Sequence, residues 1–126
     1  MNLSLSPEKL SVCQLAPDAP IPGWATPALG FASITRTRQE LSIVCATSLV
    51  PVGVRHETGW RILQVEGPLD FNLTGILASL LTPLAKAGVS IFALSTYNTD
   101  YVLLKDEKVP VALQTLRAAG HTIRID

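Results

Sequence analysis

The spacing of apolar positions changes several times in the second half of the chain, and each change marks an element. WRILQVEG, Trp60 to Gly67, sets β-branched and apolar residues between Gly59 and Gly67-Pro68, which predicts a strand. Leu73, Ile76, Leu77, Leu80, Leu81 and Leu84 then recur at spacings of three, one, three, one and three, a single stripe of an α-helix. Asn72 is placed to cap that helix and Gly88 to end it in a left-handed conformation. Pro83 removes a backbone donor and predicts a kink in its last turn. VSIFALS (89–95) and DYVLL (100–104) read as two strands joined by TYNT. Asp106 or Lys105 opens a second helix with a buried stripe of Val109, Ala112, Leu113 and Leu116; Pro110 falls in its first turn and Gly120 closes it. HTIRID ends the chain as a strand with Ile123 and Ile125 inward.

The order over residues 59–126 is therefore βαββαβ, which favours a ferredoxin-like sheet with two helices on one face. Residues 1–58 read differently. KLSVCQLA, GFASITRT and ELSIVCAT are strand-like, APDAPIPGWATP is a proline-rich loop, residues 48–51 form at most a helical turn, and Arg55 to Gly59 is a linker. The expectation is an α+β chain of two packed halves, a β-rich 1–58 and a ferredoxin-like 59–126.

Chain order brings two loops to one sheet edge. A right-handed crossover makes the first and second strands of the βαββαβ unit parallel, with the third between them. EGPLDFN and STYNTD then meet. The first loop delivers a helix N-terminus, whose unpaired N–H groups favour an anion. The second delivers Asp100, able to hold an ammonium, beside Thr96, Tyr97 and Asn98 as hydrogen-bonding groups. An anion site beside a cation site suits a zwitterion, of which a free amino acid is the commonest small example. Turn-forming tendency also accounts for Asp100 and Asn98, and a helix-dipole role for Asp70.

Composition removes other functions. Ten basic residues against ten acidic give no electrostatic footprint for nucleic acid. The apolar run ILASLLTPLAKAGVSIFAL is broken by Pro83, Lys86 and Gly88, so no membrane span is expected, and MNLSLSPEKLSV lacks a secretion signal, which makes the cytoplasm the expected compartment. Cys13 and Cys45 do not make a zinc pattern and read as reduced core thiols; His56 and His121 read as surface or linker histidines rather than ligands. Arg36 and Arg38 alternate on a solvated face, and Trp24 and Trp60 read as core or rim anchors. No nucleophile elbow and no phosphate-cradling glycine loop occurs, so neither an enzyme nor a cofactor is expected.

GVSIFALSTYNTDYVLLKDEKVPVALQTLRAAGH resembles the ACT domain, in the tandem ACT-like group that includes the animal cytosolic arginine sensors and small bacterial proteins. EGPLDFNLTGILASLLTPLAKAGVSIFALSTYNTDYVLL is similar to that family over strand, helix and hairpin, and FASITRTRQELSIVC to its upstream half. The resemblance implies a regulatory, allosteric module without catalysis that binds a free amino acid where two ACT units meet, and the open sheet face or edge strand left to be covered makes a homodimer the expected form. Its pocket positions correspond to Asp70, Leu73, Ile76, Thr96, Tyr97 and Asp100, with Ser90 and Ile91 on the strand that a neighbouring unit contributes. Leu73 stands where the arginine sensors carry a glutamate, which implies an apolar or small polar amino acid. The rival reading is a ligand-free protein–protein assembly module. An acylphosphatase-type hydrolase would need an arginine in EGPLDFN, which has none.

Overall fold

Eight strands and two helices follow the predicted alternation closely, in a computed structural model that describes residues 1–67 and 75–126. The strands are β1 (Asn2–Leu5), β2 (Leu10–Leu15), β3 (Ser33–Arg36), β4 (Leu41–Ala46), β5 (Arg55–Val65), β6 (Ile91–Ser95), β7 (Asp100–Lys105) and β8 (Thr122–Ile125). The helices are α1 (Ile76–Lys86) and α2 (Val109–Ala118), with 3-10 turns at Gly23–Ala25, Thr47–Leu49 and Asp106–Lys108. The chain divides into two compact units, Met1–Pro7 with Arg61–Asp126 and Glu8–Trp60.

In the first unit the strand neighbours run β6, β7, β5, β1, β8. β5 and β6 are separated by β7, as the crossover argument requires. β1 was not anticipated: NLSL lies antiparallel to β5 and parallel to β8, and so separates the first and last strands of the βαββαβ unit. Its alternation is regular, with Leu3 and Leu5 buried in the core. Leu63, Val65, Val102, Leu104 and Ile123 share that core with Leu80 and Leu84 of α1 and Ala112 and Leu116 of α2. Ile125, expected inward, is 57% exposed at the last position of β8.

Both helices stop for the predicted reason. Gly88 and Gly120 take φ of 74° and 97°, where only glycine sits without strain. Val89 N–H donates to Leu84 O and Gly88 N–H to Ala85 O, both at 3.0 Å, while His121 and Gly120 repeat the arrangement on Leu116 and Arg117. The start of α1 differs from expectation. It begins at Ile76 after a left-handed Gly75; Asn72 and Leu73 lie outside the described residues.

Pro83 lies inside α1. Lacking an N–H, it leaves the carbonyl of Ser79 without its i+4 donor. That carbonyl is instead 3.1 Å from His121 Nε2. Because a carbonyl can only accept, Nε2 carries the proton, and Nδ1 accepts from the Met1 amine at 3.0 Å. The surface or linker reading of His121 is therefore corrected: the ring is buried and satisfies a helix defect.

Asp106 does not cap α2. It accepts from Arg61 Nη1 at 3.0 Å, and Arg61 Nε donates to Ser6 O at 3.0 Å. The 3-10 turn Asp106–Lys108 precedes the helix, and Pro110 falls in the helix's first turn, where donors are dispensable.

The second unit is an antiparallel sheet in the order β3, β4, β2, β5, with no α-helix among its described residues. Arg55 to Gly59, read as a linker, is the first half of β5, because these polar residues pair with Gln14, Cys13 and Val12 of β2. Gly59, at φ 85°, sits where that register shifts, the place of a β-bulge. The core of this unit is Cys13, Ala25, Leu41, Ile43 and Cys45, with Trp24 packed against it. Arg36 is not simply solvated: its guanidinium donates to the carbonyls of Pro17 and Ala19 and holds the proline-rich loop to β3.

The two thiols are free and buried. Burial, with Cys45 alongside, pushes the Cys13 thiol up to about 11, and burial also raises Cys45. The folded state therefore holds protons that the unfolded thiols release, so stability falls as pH rises from about 9 toward about 11. Urea melts across that window should show the fall, and Cys13→Ala should flatten it; an equally steep profile in the variant would exclude the thiol as its source.

Candidate functional site

The candidate site is built on the edge of the first unit's sheet where β5 ends. β6 and β7 pair from Ile91↔Leu104 to Ser95↔Asp100, leaving Thr96 to Thr99 as the turn with Tyr97 and Asn98 at its tip. A two-residue hairpin loop normally needs positive φ. Among the described residues no non-glycine has one. Side chains close this turn as well as backbone. Thr96 N–H donates to Thr99 O at 2.9 Å, and Thr99 N–H reaches the Thr96 hydroxyl at 3.4 Å.

Thr99 anchors the turn. It is 5% exposed, and its hydroxyl donates to the carbonyl of Val65, the last residue of β5. The acid-bearing turn and the end of β5 are thus joined directly, as the chain order predicted. Glu66 N–H donates to Asn2 O at 2.9 Å, and the Ser79 hydroxyl contacts Met1 Sδ at 3.6 Å, so the first half of α1 also borders this edge. Among the described residues no side chain caps α1, where Ser79 N–H donates to Gly75 O at 2.9 Å.

Asp100 is half-buried and accepts a hydrogen bond from the Ser95 hydroxyl across the ladder. By the period of two from Val102 and Leu104, it faces the side that the helices cover. Thr96 is exposed and Tyr97 is 83% exposed at the tip. Ile76 is half-buried at the start of α1. Asp70 and Leu73 lie outside the described residues. Ser90 and Ile91 are at the far end of β6, about 13 Å from the turn by strand rise, and Ile91 packs on the core. The hairpin residues are therefore brought together, and Ser90 and Ile91 are not brought to them.

Ser95 and Thr99 were not singled out. Ser95 could have been found from the two-residue turn, which forces it opposite Asp100. Nothing in the sequence marks Thr99 as buried.

The arrangement offers acceptors on the Asp100 carboxylate, hydroxyl groups of both kinds and, among the described residues, uncapped amides at the start of α1. Among the described residues no cluster of three metal-ligating side chains occurs, and no helix is long and apolar enough to cross a membrane.

A sequence profile described as an ACT domain matches residues 55–118, and one describing an N-terminal domain matches residues 8–52. The cytosolic arginine sensor for mTORC1 subunit 1 of Bos taurus is 35% identical over 65 residues, 48% of this chain and 20% of that protein. The chain thus spans about a fifth of such curated relatives. A crystal structure of an Agrobacterium tumefaciens protein shares 35% identity, with a TM-score of 0.93 over 99% of this chain and 92% of that one. The regulatory subunit of aspartate kinase from Thermus thermophilus shares the fold at 14% identity, with a TM-score of 0.66 over 94% and 96% of the two chains. With its profile matched over half its length, the chain belongs to the ACT-domain family.

Proposed function

We propose that this protein is a regulatory module that binds a free amino acid at the edge where β5 ends and the β6–β7 turn projects, without catalysis of its own. The observation that carries the proposal is the Thr99-to-Val65 bond, which joins the acid-bearing turn to the strand that leads toward α1. Asp100 takes the ammonium of the ligand, and the amides at the start of α1, which no described side chain caps, take its carboxylate. Thr96 and Tyr97 border the ligand from the turn. Asp70, Leu73 and Ile76 border it from the segment before and into α1. Leu73 and Ile76 favour an apolar or small polar side chain over arginine, even though a relative is named for arginine. Ser90 and Ile91 serve a second copy, which makes the working form a homodimer in the cytosol. Ligand binding shifts the balance of states because only one of them offers these contacts together.

A thermal-shift screen across the twenty amino acids tests this. One of them should raise the melting temperature by several degrees, since ligand at a hundredfold its Kd contributes about 2.7 kcal/mol. Asp100→Asn should remove the shift while the unliganded melting temperature stays close to that of the parent. A flat response to all twenty, or a full shift retained by the variant, contradicts the proposal; the flat response favours a ligand-free assembly module.

A further inference from the structure

Beside Asp100 the hairpin holds a second acceptor for a cation. Thr96 N–H donates to Thr99 O, so by the alternation of an antiparallel ladder the next pair, Ser95↔Asp100, is a non-hydrogen-bonded one, the kind in which facing side chains stand closest. Both residues share the face of Val102 and Leu104, which belong to the core beneath the helices. The Ser95 hydroxyl donates to Asp100 Oδ1 at 2.5 Å, within the range of a charge-assisted bond. With its one proton committed there, Ser95 Oγ acts toward any further group only as an acceptor. Among the described residues no other group donates to Ser95 Oγ or to the Asp100 carboxylate. The other two hydroxyls of the turn differ. Thr96 Oγ1 donates to Thr99 O and accepts from Thr99 N–H, and Thr99 Oγ1 is buried and donates to Val65 O.

We infer that Ser95 Oγ and the Asp100 carboxylate hold the ligand's ammonium together, so that the site takes amines with at least two N–H donors and rejects tertiary and quaternary ones. This rests on the reading of the turn as an amino-acid site, and gives that site its chemical class. A primary ammonium has three donors and reaches both acceptors at once; an amine methylated until one N–H remains reaches only one of them, and a betaine reaches neither. Asp100 supplies the charge. Ser95 supplies the second hydrogen bond and, through the first, fixes the carboxylate.

Isothermal titration of the full chain tests the inference, with two probes: whichever of the twenty amino acids raises the melting temperature most, and the same amino acid methylated until one N–H remains. The parent should bind the methylated form roughly tenfold more weakly, the loss of one hydrogen bond to a charged group. Ser95→Ala should bind the unmethylated form roughly tenfold more weakly than the parent does, yet the methylated form as the parent does; Ser95→Thr, which keeps the hydroxyl, should restore the difference. Ser95 is exposed, so the unliganded melting temperature should stay close to that of the parent. The inference is overturned if Ser95→Ala keeps the parent's affinity, if it weakens both forms by the same factor, if it improves binding of the methylated form, the mark of a steric limit, or if the parent binds the two forms equally. A flat response to all twenty amino acids, or an unchanged affinity in Asp100→Asn, overturns the amino-acid site itself and this inference with it.

Discussion

Leu84→Ala is expected to destabilise the protein by about 2–5 kcal/mol, a large share of the roughly 5–15 kcal/mol that holds a domain together. Leu84 is fully buried and belongs to the core shared by both helices and the sheet. Its carbonyl also accepts the Val89 N–H that closes the end of α1, so its backbone position is fixed and the cavity cannot collapse freely. Leu81, one stripe position earlier, is only half-buried, and Leu81→Ala should cost clearly less. Urea denaturation should show a lower midpoint for Leu84→Ala with an unchanged slope. Equal costs at the two positions would mean that α1 is not seated as described.

His121→Ala carries the second large effect, through polar groups rather than volume. The variant strips the Ser79 carbonyl and the Met1 amine of their partner at once, and because both bonds are only partly buried each loss should cost about 0.5–1.5 kcal/mol. The origin of the defect supplies a sharp control. In a Pro83→Ala background, residue 83 regains an N–H that can reach Ser79 O, so the same His121→Ala change should cost about 1 kcal/mol less. A double-mutant cycle by urea denaturation measures this coupling. Additive costs would show that the imidazole does not substitute for the missing helix bond.

These positions also show what the sequence reveals and what it hides. The apolar stripes of α1 and α2 and the glycines that end them are local signals, and both helices run where the period of apolar residues ends at Gly88 and Gly120. The place of β7 between β5 and β6 followed from the preference of the βαββαβ order for a split arrangement. Pairing with distant segments was not legible. NLSL is too short to stand out, yet it inserts between β5 and β8; Arg55 to Gly59 carries the polar composition of a linker, yet β2 makes it a strand. His121 looked like a surface residue because its two partners lie 120 and 42 residues away. At the candidate site, the turn and its Asp100 were readable from residue type, whereas the Thr99 anchor depends on a carbonyl 34 residues upstream.

The amino-acid site at the β6–β7 turn is tested most directly by isothermal titration of the unmodified chain and of Asp100→Asn with the amino acid that gives the largest thermal shift. The account predicts saturable heat for the parent and a loss of at least roughly tenfold in affinity for the variant, the size of one bond to a charged group. Unchanged affinity in Asp100→Asn would place the ammonium elsewhere and contradict it.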